Sequence, residues 1–414
     1  MAQHISIDGA YYFPTAESSG LSGVYVVHPD VKPTIRYISN STADIRWYRF
    51  DDKGTVGKIE VLGTQSGNTS TLLVADNERA GDYGYIVEQE GVGTITLWLA
   101  TYRPIVSCSV AEVQDNPGEQ VAITGEGIGI SYYTTAARKR YVPRRVAYTT
   151  AAWNDATTSI IENVPAESLA TVNADDELSL PAPYGTTTFT IIDSIPTAWG
   201  ASPVQISTEQ YDSPAIFMRA TAEQKVRGAL NEAAELPASG FGGSAPVEMT
   251  FTAYVNGNNY YAWEFARDAE FTTIDALYAE ERLEYAFNDE GTTYVRLHAY
   301  NDYCERDTLF EIHVGESKLE APNAFSPYGS PGVNDEWKVA YKSIVEYKCW
   351  IYNRWGQKMF HSTDPAQGWN GRFNGPIVPP GVYFYVIEAR GADGQKYNLK
   401  GHINILRSKN EKHQ

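Results

Sequence analysis

Residues 381–406 read GVYFYVIEARGADGQKYNLKGHINIL. The opening nine are mostly aromatic or β-branched, the side chains that suit a pleated strand. Ala392-Asp393-Gly394-Gln395 follows, with Asp-Gly at its centre. That dipeptide tolerates the positive φ angles of a tight hairpin turn. Residues 396–406 form the return strand, so the chain closes on a β-hairpin of a compact sandwich.

The rest of the chain agrees with an all-β fold. Tyr contributes 29 residues against 14 Phe and 9 Trp, Gly contributes 34 and Met only 4. Such Tyr-, Thr- and Val-rich sequence with turn clusters between points to many short, half-buried strands. Long amphipathic helical patterns are almost absent. The best candidate, TAEQKVRGALNEAAEL at 221–236, is interrupted by Gly228 and reads as one short helix or a polar linker. No apolar run approaches the roughly 18–20 residues of a membrane-spanning helix. The 33 basic and 51 acidic residues give a net charge of -18, which argues against non-specific binding to nucleic acid or anionic lipid. The first four residues run directly into strand-like Ile5-Ser6-Ile7, without a basic or apolar leader. Either the protein is cytosolic or its signal peptide is not in this chain, and the composition favours the second reading.

The 414 residues are enough for three or four domains at roughly 100–150 residues each. Residues 1–104 hold seven expected strands, at 23–28, 34–38, 44–50, 58–62, 70–74, 84–89 and 95–101. Trp47 sits mid-strand in IRWYRF, and AGDYGYIV spans 80–87. The latter resembles the Asp-x-Gly-x-Tyr-x-Cys stretch of immunoglobulin-like domains, one residue shorter between Asp82 and Tyr85. Tyr85 is then the corner tyrosine, and Val87 stands where the family has its second cysteine. The region reads as a disulfide-free Ig-like sandwich or another β-sandwich. Residues 105–244 are β-rich without a nameable fold, with strands expected at 120–124, 146–150, 159–161, 187–192 and 215–220, and end in a linker at 237–246. Residues 245–317 resemble a polycystic-kidney-disease (PKD) domain, an Ig-like sandwich, through Trp263, Phe265, Tyr285, Phe287, Gly291, Tyr294, Val295 and Leu297. The family's Gly-Asp-Gly turn is replaced by Ala266-Arg267-Asp268.

Residues 318–414 carry four motifs in order: LEAPNAFSPYGSPGVNDEWKV, CWIYNRWGQKMF, GWNGRFNG and PPGVYFYV. They resemble the type B C-terminal sorting domain of gliding-motility-associated, type IX secreted proteins of Bacteroidota. Asn323, Phe325, Pro327, Asn334 and Asp335 match the first motif. Asn353, Arg354, Trp355 and Gly356 match the second, and Trp369, Gly381 and Tyr383 the last two. The family's Asn-Gly-Asp-Gly is replaced by Tyr328-Gly329-Ser330-Pro331-Gly332, removing a carboxylate that a calcium site would need. Asn370 replaces the Asp of Gly-Trp-Asp-Gly. The resemblance implies export through the type IX machinery, with this domain as the address, to the cell surface or the medium. Residues 320–414 carry 12 Lys and Arg against 8 Asp and Glu, a net +4 that leaves -22 for the remainder. A basic module closes an acidic chain, which suits a signal read by an acidic partner, although a solvated surface is the default for such charge.

No catalytic motif is present: no His-Glu-x-x-His, Gly-x-Ser-x-Gly or P-loop. The seven histidines lack metal-ligand spacing, and only His298 and His313 could face each other on neighbouring strands. No cofactor or metal is expected. Cys108, Cys304 and Cys349 lie in three different regions, either as free thiols or with Cys304 and Cys349 bridged. Arg138, Lys139, Arg140, Arg144 and Arg145 place five cations in eight residues, a candidate patch for acidic glycans or lipopolysaccharide phosphates, or else a solvated strand pair or a patch neutralised by local acids. The expectation is a tandem of β-sandwiches ending in a sorting domain, a non-enzymatic surface or secreted protein acting in adhesion or in protein or glycan interaction. The alternatives are a structural part of an outer-membrane assembly and a carbohydrate-binding accessory module. The expected partners are the type IX machinery and an unknown surface protein or glycan, with no nucleic acid and no transmembrane segment.

Overall fold

The computed structural model describes residues 4–74, 82–111, 118–173, 177–233, 240–257, 259–327, 332 and 334–406. The chain divides into two compact units, Met1–Phe217 with Asp302–Cys304, and Met218–Asn301 with Glu305–Gln414. The described regular structure is almost entirely strand, relieved by short 3-10 turns.

The first unit opens with a sandwich of a four-stranded and a six-stranded sheet. All seven strands expected from the sequence form, and Ala10–Phe13 and Thr64–Ser66 join them. Trp47, on Ile45–Phe50, lies opposite Val87 on Tyr83–Gln89, and both are buried beside Tyr85 between the sheets. The Trp47 indole donates to Ser70 Oγ across the gap at 2.9 Å. The six-stranded sheet is apolar at both parities because both of its faces are covered. Leu97 and Leu99 on Gly93–Thr101 face the four-stranded sheet. Trp98 and Ala100, with Phe50 and Ile86, point the other way and pack against Ile130, Tyr132, Val142 and Ile195 of the next domain.

That next domain is one seven-stranded sheet whose first and last strands, Ser109–Ala111 and Val204–Asp212, contact each other. The sheet therefore curls around a core of Val121, Ile123, Val146, Phe189 and Ile191. Arg144–Asn154 and Ser159–Val172 are its long central hairpin.

The second unit begins earlier than the boundary expected at 244/245. Met218–Gln224 is a strand paired with Val247–Val255. The candidate helix at 221–236 is thus a strand at its start and irregular from 225 to 233; residues 234–236 lie outside the described residues. Pairing with a sheet edge satisfies this backbone and packs Met218, Ala220 and Ala222 on the core, overriding the segment's helical propensity. The sandwich is completed by a five-stranded sheet containing Tyr260–Ala266, Gly291–Tyr300 and Glu305–Val314. Phe251, Trp263, Phe265, Leu297 and Ile312 form its core.

The last domain sets a two-stranded sheet against a five-stranded one in which Ala324–Phe325, Lys396–Ile405, Gly381–Gly391, Ile344–Tyr352 and Lys358–Ser362 lie in that order. The hairpin read from 381–406 pairs from Gly381 opposite Ile405 to Arg390 opposite Lys396. Within this unit the two sandwiches meet at a polar joint. Ser343 is fully buried, accepts a hydrogen bond from Ala245 N at its hydroxyl, and donates its own N–H to Ser244 Oγ at 2.7 Å. Its carbonyl accepts from Ala392 N at 2.9 Å. The Asn231 side chain donates to the carbonyls of Val339 and Pro365.

Candidate functional site

The sorting-type motif residues fall into two groups. The first group builds the interior. Phe325 and Trp369 are buried with ring centroids 5.6 Å apart, and Trp369 meets Tyr383 edge-on at 5.3 Å. Phe325 lies opposite Ile405 on a parallel pair, and Tyr383 OH donates to Pro379 O at 3.0 Å. Trp337 and Trp369 exchange backbone hydrogen bonds, both 2.9 Å, which ties the first loop to the third motif. Gly371 has φ +71, and a Cβ there would stand 2.9 Å from the Pro327 ring, so glycine answers two demands at once. Asn323 O accepts from Asn404 N, Asn334 O accepts from Ser326 N, and the Asp335 carboxylate accepts from Gly332 N, all at 2.8 Å. These residues hold the loop to the sheet. Gly381 starts its strand at φ +152, with open space where a side chain would be. Tyr328, Gly329, Ser330 and Pro331, where the family's acidic loop is altered, lie outside the described residues.

The second group is displayed. Asn353-Arg354-Trp355-Gly356 forms the tip between Ile344–Tyr352 and Lys358–Ser362. Asn353 Oδ1 accepts from the backbone N–H groups of Trp355 and Gln357, each at 3.0 Å, and its Nδ2 donates to Gln357 Oε1. Gly356 takes the left-handed conformation, φ +78, that the turn demands. Trp355 is 75% exposed, and the Arg354 guanidinium lies 4.1 Å from its ring centroid.

The basic run of the first unit does not form one patch. Arg144 is buried: its guanidinium donates to the carbonyls of Ile128 and Gly127 and sits 3.5 Å from Asp193. Asp193 also accepts from Tyr102 OH at 3.0 Å, and burial beside that carboxylate pushes the Tyr102 phenol up to about 12. Burial pulls the Arg144 guanidinium below its usual range, while Asp193 acts to hold its charge. A cation needs such partners inside a protein, so Arg144 belongs to the core and not to a ligand surface. Arg145, across the strand, is exposed and forked onto Glu167 at 2.6 and 2.9 Å. Arg138, Lys139 and Arg140 remain exposed on and beside the short hairpin of Ser131–Tyr133 and Lys139–Tyr141.

His298 lies opposite Asp307 and His313 opposite Thr292, so the two histidines do not face each other. Among the described residues, no group of three His, Cys, Asp or Glu side chains is placed to hold a metal. None of the three cysteines is in a disulfide, so no Cys304–Cys349 bridge forms. Burial raises the Cys349 thiol to about 11, which keeps it protonated and inert near neutrality. Among the described residues, no helix is long and apolar enough to cross a membrane.

Sequence reading passed over the outward face of the last sheet. VYFYV and CWIY carry aromatic residues at consecutive positions, so aromatics must lie on both faces of the sheet. Tyr383 and Ile351 are buried, while Phe384 is exposed and Trp350 and Tyr352 are half-buried.

No curated protein matches this chain. Several solved structures are similar to this chain. The tetra-tandem repeat from the extending region of a large adhesion protein is 12% identical, over 92% of this chain and 99% of that one, with a TM-score of 0.19. Sidekick-1 immunoglobulin domains 1–5 are 11% identical, over 96% and 81%, with a TM-score of 0.26. A Ca²⁺-stabilized adhesin that helps an Antarctic bacterium reach out and bind ice is 11% identical, over 99% and 100%, with a TM-score of 0.20. The C-terminal domain is more specific: residues 319–405 match the family described as the CHU_C type IX secretion signal domain, which implies export through the type IX secretion system.

Proposed function

We propose that the chain is a type IX cargo displayed at the cell surface or released, where it acts without catalysis in adhesion or in protein or glycan interaction. The observation that carries this reading is the match of residues 319–405 to a secretion signal, at the end of successive β-domains. Domains of this kind present loops and sheet edges from a rigid frame, which suits binding. Arg138, Lys139 and Arg140 are candidate contacts for an acidic glycan in the first unit.

The test expresses the full chain in cells with and without a working type IX system. The expected outcome is surface or medium location in the first and periplasmic retention in the second. Export in both, or retention in both, sinks the reading. Removing residues 318–414 is a poorer test, because it also strips partners from Ala245 and Ser244 in the preceding sandwich. Purified full chain, screened against glycans and source-cell surfaces, then addresses the ligand. Loss of binding in the Arg138→Ala/Arg140→Ala variant is the result expected for an anionic glycan.

A further inference from the structure

The outward face of the last five-stranded sheet is aromatic at its centre and cationic around it. Strand register brings Tyr352 opposite Phe384 and Lys358, and Trp350 opposite Val386 and His361. On the far side Phe384 lies opposite His402, and Val386 opposite Lys400. Phe384 is 46% exposed and the neighbouring Val382 47%. The tip carrying Arg354 and Trp355 extends from the end of this face, directly after Tyr352. Between residues 347 and 363 there are three cations, Lys348, Arg354 and Lys358, and no carboxylate. Toward the opposite end the charge is balanced: Glu388 lies opposite Lys348, and Arg390 forks onto Glu346 at 2.7 and 3.1 Å.

A sheet face of this kind is unusual on a finished surface, because outward strand positions exposed to water are ordinarily polar. The tip adds order to the apolar area. Asn353 and Gly356 fix its backbone and Arg354 fixes the indole, so little conformational freedom remains to be lost on binding. Exposed Trp, Tyr and Arg are also the residue types that dominate binding energy at protein interfaces. Cations around an apolar centre call for a partner with carboxylates around an apolar strip.

We propose that this face and its tip are the surface by which the type IX machinery grips the chain. The partner is a protein of that machinery presenting an apolar strip edged with carboxylates. The proposal rests on the export reading above and assigns it a surface: the interior motif residues build the domain, and Trp350, Tyr352, Trp355 and Phe384 with Lys358 and Lys400 engage the receptor.

The test uses the full chain in type IX-competent cells with two variants, Lys358→Glu/Lys400→Glu and Trp355→Ala/Phe384→Ser. The control is Arg372→Glu, a charge reversal of the same sign away from this face. Thermal unfolding of each purified protein shows whether the fold is kept. The expected result is a tenfold or greater fall in exported protein for both variants, with periplasmic accumulation, unchanged unfolding and a normally exported control. Normal export of both folded variants overturns the proposal while leaving the export reading intact. Failure of the unaltered chain to require the type IX system overturns the export reading itself. Purified protein is also mixed with vesicles of phosphatidylglycerol. Charge-dependent vesicle binding with unaltered export would assign the face to a lipid surface and overturn the protein partner.

Discussion

Two sheets in this protein carry the same sequence signature and meet opposite fates. Leu97-Trp98-Leu99-Ala100 in the first domain and Val382-Tyr383-Phe384-Tyr385-Val386 in the last are both apolar at consecutive positions. In the first, Trp98 is buried against Phe50 and Tyr133, because a hairpin of the following domain lies over that face. In the last, Phe384 and Val382 remain exposed. A strand apolar on both faces therefore announces a second covering layer without saying whether that layer lies in the same chain.

The largest effects are expected where the chain supplies its own cover. Trp98→Ala opens a cavity in a shared core and is expected to cost about 3–5 kcal/mol. Arg144→Ala leaves the buried Asp193 charge without its cation and is expected to cost a similar ~3–5 kcal/mol. Denaturant unfolding followed by near-UV circular dichroism reads both. Cys349 supplies the internal reference, since its raised thiol pKa and burial shield it from alkylation until the second unit opens. Early Cys349 labelling in these variants would show that the two units do not unfold separately.

The joint inside the second unit ranks next. Ser343→Ala strips the partner from the buried Ala245 N–H, and an orphaned buried donor costs about 1–3 kcal/mol. Ser343 also sits at φ +49, where alanine is no better placed than serine, so no backbone gain offsets the loss. The expected signature is earlier Cys349 alkylation with the first unit's transition unmoved. A simultaneous shift of both transitions would contradict a local joint.

Much of this was legible in the sequence, and the failures share a cause. Strand alternation in Tyr294-Val295-Arg296-Leu297-His298 and the Asp-Gly turn at 393–394 are local signals, and both elements formed where the pattern put them. At 221–236, read as a short helix or a polar linker, the helical reading failed at the start because helical composition is local while the sheet edge that captures Met218–Gln224 comes from residues 247–255. Arg144 was misread for the same reason: five cations in eight residues look like one patch until Asp193, far along the chain, takes one of them inside. The motif residues were found by resemblance, but spacing alone could not separate Phe325 and Trp369, which fill the core, from Trp355, which leaves it.

The smallest stability effect is the most informative for the comparison. Phe384→Ser removes a large ring from the uncovered face, and its near neighbours there are Tyr352 and His402 across the strands. With 46% of the residue already in water, the change forfeits cross-strand contact but opens no cavity. The expected cost is about 0.5–1 kcal/mol, several-fold below that of Trp98→Ala, although both residues are aromatic at the outward parity of an apolar strand. Thermal unfolding of the purified chain measures it directly. A cost above about 3 kcal/mol would mean that Phe384 is packed like Trp98 and the face is already covered. A small cost joined to lost export would mean that selection keeps phenylalanine there for a layer that arrives from outside the chain. Stability and export would then be written on opposite faces of one strand, with Tyr383 and Ile387 carrying the first and Phe384 the second.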